Sequence, residues 1–297
     1  MLWSNLSSEH NNSLRLAVIG DPIAHSKSPV MHNAALASLG LKGEYIPLHV
    51  SPRELGPAIT RMKDLGFRGI NVTIPHKLDV MAYVDRLDES AEIIGAVNTI
   101  VNENGYLTGY NTDGIGYVRS LKEETRVRLK DKSIIVLGAG GAARGIVHTL
   151  AQEEPKRIVI ANRTEDKAIQ LAKEWSSIAN ISGVSIDEAK SYMSSMDIVI
   201  NTTSIGMHPH TAHSPIDPVS IPPGIIVSDL IYNPLMTELL KKSHERGCIT
   251  HGGLGMFVNQ GAYALEYWTG LPAPIEIMRE AVLKSLQHEA VNVQENN

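Results

Sequence analysis

Ser133-Ile134-Ile135-Val136-Leu137 runs without a break into Gly138-Ala139-Gly140-Gly141-Ala142-Ala143, and the chain then turns helical with Ile146, Val147 and Leu150 on one stripe. An apolar run bounded by glycine reads as a buried strand, and glycines at this spacing ahead of a helix leave few folds open. The first glycine permits a tight turn, and the second lets backbone N–H groups approach an anion. The small last position lets helix and strand pack closely. The positive end of the helix then faces that anion. This is G-x-G-x-x-A, a turn suited to a dinucleotide pyrophosphate, and it implies parallel strands joined through helices.

The rest of the chain follows the same grammar. Residues 16–19 form an apolar strand ended by Gly20, and residues 45–50 read as an edge strand because of Pro47. Residues 69–74 make a third strand. Ser28-Pro29 and Ser51-Pro52 open helices in the usual cap-then-proline order, and Pro75 is expected to start another. Asn104-Gly105, between the β-rich runs 97–101 and 106–110, signals a hairpin. A helix beginning at Asn111-Thr112-Asp113 and running to about Glu124 carries the chain into a second α/β unit, with later strands at 157–161, 197–200 and 225–228. Residues 262–268 and 275–286 are helical. The fold class is α/β, in two domains: residues 1–112, opening on a polar extension (1–13) that is mobile or loosely docked; residues 113–252, Rossmann-like; and 253–297, C-terminal helices that return to the first domain.

Composition excludes several functions. The 297 residues carry a formal charge of -5, so no broad basic surface points to nucleic acid or anionic lipid. A single cysteine, Cys248, rules out an internal disulfide and a cysteine-rich metal cluster. No stretch reaches the ~20 apolar residues that span a bilayer, and the opening residues lack the pattern of a secretory signal. A soluble, cytoplasmic protein is expected. His208-Pro209-His210-Thr211-Ala212-His213 places three histidines close together, but a Pro-containing surface loop does not hold ligands in fixed geometry, so no metal is assigned.

The end of the strand after the glycine turn decides between cofactors. NAD usually meets an acid there, whereas the 2'-phosphate of NADP needs a cation and small donors. The sequence has Asn162-Arg163-Thr164, with Lys167 one turn on, and a guanidinium pairs with phosphate in a bidentate fork. Thr164 would also suit a helix cap, and Glu165 and Asp166 dilute the basic signal. NADP is favoured.

Four features of the first domain are odd for purely structural roles. Ser26 and Ser28 bracket a helix start where backbone N–H groups converge, an arrangement suited to a carboxylate, although Ser28 would serve equally as a cap. Asn71 and Thr73 share one face of an otherwise apolar strand. Lys77 falls in the expected first turn after Pro75, where a helix dipole disfavours a cation. Asn98 is an amide among apolar residues, and Asp113 stands in the Asn-Thr-Asp turn, where it would also suit a cap.

The stretches 26–29, 71–77, 95–99, 109–114, 138–142, 162–164 and 253–260, in this order, resemble the shikimate dehydrogenase family from about Leu14 to the last helix. The first thirteen residues have no counterpart, and Lys167 stands where many relatives carry arginine. The resemblance implies reversible NADPH-dependent reduction of 3-dehydroshikimate to shikimate, a step toward chorismate and the aromatic amino acids. It implies a substrate-binding first domain, a Rossmann-like NADP-binding second domain, a cleft between them, and a monomer or homodimer. Ser26 and Ser28 would hold the substrate carboxylate. Asn71, Thr73, Asn98 and Gln260 would bind ring hydroxyls or orient neighbours. Lys77 and Asp113 would be catalytic at the reacting hydroxyl, with Lys77 giving and taking the proton. Tyr232 would line the substrate side. Gly138, Ala139, Gly140, Gly141, Ala142, Asn162, Arg163, Thr164 and Lys167 would bind the cofactor, with Glu89, Leu230 and Gly253 as further cofactor contacts. The alternatives are a quinate/shikimate paralogue that uses NAD and a non-catalytic regulatory homologue.

Overall fold

Short apolar runs become parallel strands in both halves of the chain. The computed structural model describes residues 1–6 and 13–295, and the chain separates into two units, residues 1–112 with 260–297 and residues 113–259.

The first unit contains β1 (Leu14–Gly20), α1 (Ser28–Ser38), β2 (Gly43–His49), α2 (Leu55–Asp64), β3 (Gly69–Val72), β4 (Arg86–Leu87), α3 (Glu89–Ile94), β5 (Thr99–Glu103) and β6 (Tyr106–Tyr110). Its sheet runs β2-β1-β3-β5-β6-β4. β1 pairs in parallel with β2 and β3, while β3, β5 and β6 are antiparallel in turn. β2 is the edge that Pro47 announced. The β5–β6 turn has positive φ at both Asn104 (55°) and Gly105 (88°), as a two-residue hairpin requires. Leu48, Ile59, Met62, Phe67 and Ile70 are among the buried residues of this unit's core. Ser51 and Glu54 form a reciprocal capping box ahead of α2, which satisfies two donors the helix start would otherwise leave bare.

The helix expected from Pro75 does not form. β3 ends at Val72, residues 74–78 make a turn, and a short 3-10 helix follows at Asp79–Tyr83. The carbonyls that helix would need are taken by distant strands and loops: Ile74 O accepts from Asp21 N at 3.0 Å, and Lys77 O accepts from Val97 N at 2.8 Å. Lys77 therefore sits in a turn ahead of that short helix rather than in the first turn of an α-helix. Ser28 also differs from its expected role. It is the first residue of α1, Lys27 holds the cap position without a side-chain cap bond, and the Ser28 N–H goes to Ser26 Oγ instead.

The opening residues are more firmly placed than a polar extension would be. Leu2 bridges to His49 on the β2 edge, His49 N donates to Met1 O at 2.9 Å, and Leu6 is buried in the unit's core with Trp3 packed beside it. The apolar residues among these six seal part of an edge strand, whose unpaired backbone groups would otherwise face water. The remainder of the extension, residues 7–12, lies outside the described residues.

The second unit contains α4 (Asp113–Thr125), β7 (Ser133–Leu137), α5 (Gly141–Ala151), β8 (Arg157–Asn162), α6 (Glu165–Glu174), β9 (Ile181–Ser185), α7 (Ala189–Tyr192), β10 (Ile198–Asn201), β11 (Ile226–Asp229), α8 (Glu238–Glu245) and β12 (Ile249–His251). α9 (Gly253–Thr269) then leads out of this unit, and α10 (Ile275–Glu295) closes the chain. All strand pairings here are parallel, in the order β12-β11-β10-β7-β8-β9. Counted from β7 this is 3-2-1-4-5-6, the doubly wound dinucleotide-binding order, with its switch point between β7 and β10. One of its strands, β9, was not legible as a strand. β9 depends on Gly183, where a Cβ would lie 2.3 Å from the Ala168 carbonyl carbon, so only glycine lets α6 rest on it.

Candidate active site

In the first unit the candidate residues gather at one end of the sheet. Ser26 and Ser28 follow β1, and Thr73 and Lys77 follow β3. Asn98 precedes β5, which runs antiparallel to β3, and Thr112 follows β6. Ligands of open α/β sheets bind at this carboxyl end of the parallel strands.

A buried polar lattice joins these residues. The Tyr45 hydroxyl donates to Asn71 Oδ1 at 2.7 Å and is also hydrogen-bonded to the Ser28 side chain. Burial holds this phenol well above its ordinary pKa, so it stays a neutral hydroxyl. Asn71 Nδ2 donates to Asn98 O at 3.2 Å and to Thr99 Oγ1 at 3.1 Å. Asn98 grips Thr112 from both ends of its amide: Nδ2 donates to Thr112 Oγ1 at 2.9 Å, and Oδ1 accepts from Thr112 N at 2.9 Å. Asn71 and Asn98 thus commit much of their bonding to protein partners and set where Ser28 and Thr112 stand. Ser26 Oγ accepts from Ser28 N at 3.3 Å, which closes the Ser-Lys-Ser turn. Lys27, between them, is buried and turned away toward α10, bonding Ser285 Oγ at 3.1 Å and pairing with Glu289. Thr73 and Lys77 are half-buried, and Gly20 makes room for Thr73, whose Cγ2 lies 2.5 Å from where a Cβ on Gly20 would be.

Tyr45, Thr99 and Thr112 were not singled out from sequence. A tyrosine in an edge strand is ordinary β-former usage, and only the fold shows its hydroxyl bridging two candidate residues.

The second unit holds the glycine turn at its switch point. Gly138 has φ +111°, and a Cβ there would lie 2.6 Å from Thr202 Oγ1. Gly140 and Gly141 have nothing within 4 Å of a would-be Cβ, leaving the N-terminus of α5 open to a ligand. Ala139 and Ala142 are part-exposed beside them, and Ala143 is fully buried where α5 meets the sheet. At the end of β8, Asn162 Nδ2 donates to Thr164 O at 2.8 Å. Thr164 occupies the cap position of α6 without a side-chain cap bond, so its hydroxyl is not used for capping. Arg163, Thr164 and Lys167 are all exposed. These residues fit a dinucleotide with a phosphate on its adenosine ribose.

Leu230 and Gly253 are brought into contact by the fold. A Cβ on Gly253 would lie 2.0 Å from Leu230 O, and Gly253 N donates to Ile231 O at 3.1 Å. A buried chain braces this turn: the Tyr117 hydroxyl donates to Ser228 Oγ at 2.9 Å, and His251 is 2.8 Å from Ser228 Oγ through Nδ1 and 2.8 Å from Ser120 Oγ through Nε2. Tyr232 stacks on Phe257 with ring centroids 4.2 Å apart. Asp113 is buried at the first residue of α4, and Gln260 is half-buried in α9. Glu89 is exposed in the first turn of α3, in the first unit, where an acid suits the helix dipole. His208, His210 and His213 are exposed, and among the described residues no cluster of three His, Cys, Asp or Glu is placed to hold a metal. No helix among them is long and apolar enough to cross a membrane.

Strand order, glycine turn and open cation-bearing strand end together define the second unit as a doubly wound dinucleotide-binding fold. Three family descriptions match the chain: the shikimate dehydrogenase substrate binding domain at residues 18–100, shikimate / quinate 5-dehydrogenase at 120–212, and the shikimate 5'-dehydrogenase C-terminal domain at 253–283. The chain is 47% identical over 270 residues to a shikimate dehydrogenase (NADP(+)) of Geobacillus kaustophilus, covering 91% of this chain and 98% of the relative. A crystal structure of a shikimate dehydrogenase in complex with NADP+ superposes with a TM-score of 0.87 at 42% identity, covering 93% of this chain and 96% of the other. The shikimate 5-dehydrogenase of Thermus thermophilus, in complex with NADP(H) and shikimate, gives 0.83 at 35% identity, over 91% and 99%. The chain belongs to the shikimate dehydrogenase family.

Proposed function

We propose that the chain catalyses the reversible NADPH-dependent reduction of 3-dehydroshikimate to shikimate, with the first unit binding substrate and the second binding cofactor. The observation that carries this reading is the lattice of hydroxyls and amides at the carboxyl end of the first unit's parallel strands, where Ser26, Ser28, Asn71, Thr73 and Asn98 offer hydrogen bonds to a small polyhydroxylated acid. The curated relatives' names and the bound ligands of the solved relatives support the same substrate and cofactor.

Roles follow from chemistry. Ser26 and Ser28 are assigned to the substrate carboxylate, at the start of α1. Asn71, Thr73, Asn98 and Gln260 bind ring hydroxyls or orient those that do, and Tyr232 lines the substrate side. Lys77 holds and moves the proton at its Nζ, taking it from the hydroxyl as shikimate is oxidised and returning it on reduction. Asp113 is assigned to the same hydroxyl. When bound, the nicotinamide accepts or supplies the hydride. Gly138, Ala139, Gly140, Gly141 and Ala142 cradle the pyrophosphate, while Asn162, Arg163, Thr164 and Lys167 hold the 2'-phosphate. Glu89, Leu230 and Gly253 complete the cofactor contacts.

Initial rates followed by nicotinamide absorbance, with shikimate or quinate and with NADP or NAD, test the assignment. Shikimate with NADP should give the highest kcat/KM. Faster turnover of quinate with NAD would refute it, as would absence of turnover with all four pairs.

A further inference from the structure

We propose that Asn201 and Asp229 are positioning residues for the dinucleotide, locking the loop that backs its pyrophosphate turn to the loop expected to meet its nicotinamide. This rests on the reading of the second unit as an NADP site. The two residues are register partners at the carboxyl ends of β10 and β11, and both are fully buried. Neither is placed to touch a ligand, so any effect on one passes through neighbours.

Those neighbours are specific. Asn201 Oδ1 accepts from Thr203 N at 2.9 Å and from Thr203 Oγ1 at 2.7 Å. That pins the Thr202–Thr203 step, which lies against Gly138: a Cβ there would be 2.6 Å from Thr202 Oγ1 and 3.0 Å from Thr203 Cγ2. From its other end, Asn201 Nδ2 donates to Asp229 Oδ1 at 3.0 Å, with Ile205 O at 3.4 Å as a weaker partner. The same Asp229 oxygen accepts from Ile231 N at 3.1 Å, and Ile231 O in turn receives the Gly253 N–H at 3.1 Å. Asp229 Oδ2 accepts from Thr237 Oγ1 at 2.8 Å, a branch that leads only to the cap of α8. One amide and one carboxylate therefore connect Gly138 to Gly253 through direct contacts, and buried groups fully satisfied in this way hold a single arrangement.

The branch to α8 supplies the control. Asn201→Ala and Thr237→Val each remove a bond to Asp229, but only the first touches the cofactor loops. Isothermal titration of NADP onto the full chain should show Asn201→Ala weakening binding about tenfold, the equivalent of one or two lost hydrogen bonds. Thr237→Val should keep NADP affinity within about twofold of wild type while lowering the melting temperature, and the KM for shikimate should be unmoved in both. Asp229→Ala, which removes the acceptor that Asn201 Nδ2 and Ile231 N share, should weaken NADP in the same sense and covers the case in which Asn201→Ala does not fold. Unaltered NADP affinity in the Asn201 and Asp229 variants, or equal weakening in Thr237→Val, would overturn the proposal while leaving the cofactor site standing. A wild-type chain that does not bind NADP would overturn both.

Discussion

His32 makes the first unit acid-labile by an amount that follows from its surroundings. It is fully buried on α1, stacked on Tyr45 with centroids 4.3 Å apart and 5.3 Å from the Trp268 ring, and neither ring nitrogen has a hydrogen-bond partner. Burial alone lowers its pKa from 6.5 to about 3. In the unfolded chain the imidazole titrates near its ordinary ~6.5. The folded pKa is the depressed one, so this residue's contribution to stability is fully present above ~6.5. It is lost as pH falls, at ~1.4 kcal/mol per unit, until the folded pKa is reached. Going from pH 7.5 to 5.0 should therefore cost about 2 kcal/mol through His32. His32→Phe keeps a ring against Tyr45 and removes the titration. Urea unfolding at both pH values, followed by tryptophan fluorescence, compares the two proteins; other titrating groups are common to both and cancel. The stability difference between variant and wild type should shift by about 2 kcal/mol in the variant's favour at pH 5.0. A difference that stays constant within ~0.5 kcal/mol would mean that His32 accepts its proton in the folded state, and the argument from burial would be wrong.

Lys77→Ala should lower kcat about 10²–10⁴-fold with shikimate KM within a few-fold, and near-normal turnover would remove Lys77 from proton transfer. Arg163→Ala should weaken NADP by about ten- to a hundred-fold and barely affect NAD, since a charge-assisted bond is worth ~1.5–3 kcal/mol; equal weakening of both cofactors would make Arg163 a structural or adenine contact. Gly138→Ala forces a side chain into positive φ and against Thr202, so calorimetry should show a loss of at least ~1–2 kcal/mol in stability together with weaker NADP binding. An alanine variant as stable as wild type would show that the turn is not constrained as described.

Much of the architecture was readable because it is written locally. Glycine spacing after an apolar run marked β7, the turn and α5. Asn104-Gly105 marked a hairpin whose positive φ values the structure bears out, and Pro47 marked an edge. Where local signals misled, a distant partner had overridden them. Pro75 looked like a helix start until Asp21 and Val97 took the carbonyls a helix requires, and Ser28 looked like a cap until the fold gave its hydroxyl to Tyr45. β9 was missed because a short strand interrupted by a glycine carries too little periodicity to stand out.

The sequence by itself determined the α/β class, the nucleotide turn and the cationic strand end at Arg163, because turn conformation, helix capping and strand alternation depend on residues a few positions apart. Tertiary structure alone decided which strand lies beside which, and with it that Thr202 backs Gly138, that Tyr45 joins Ser28 to Asn71, and that Asn201 meets Asp229. A buried hydroxyl or amide takes whatever partner the sheet order places within ~3 Å, and nothing in the local chain records which one that will be.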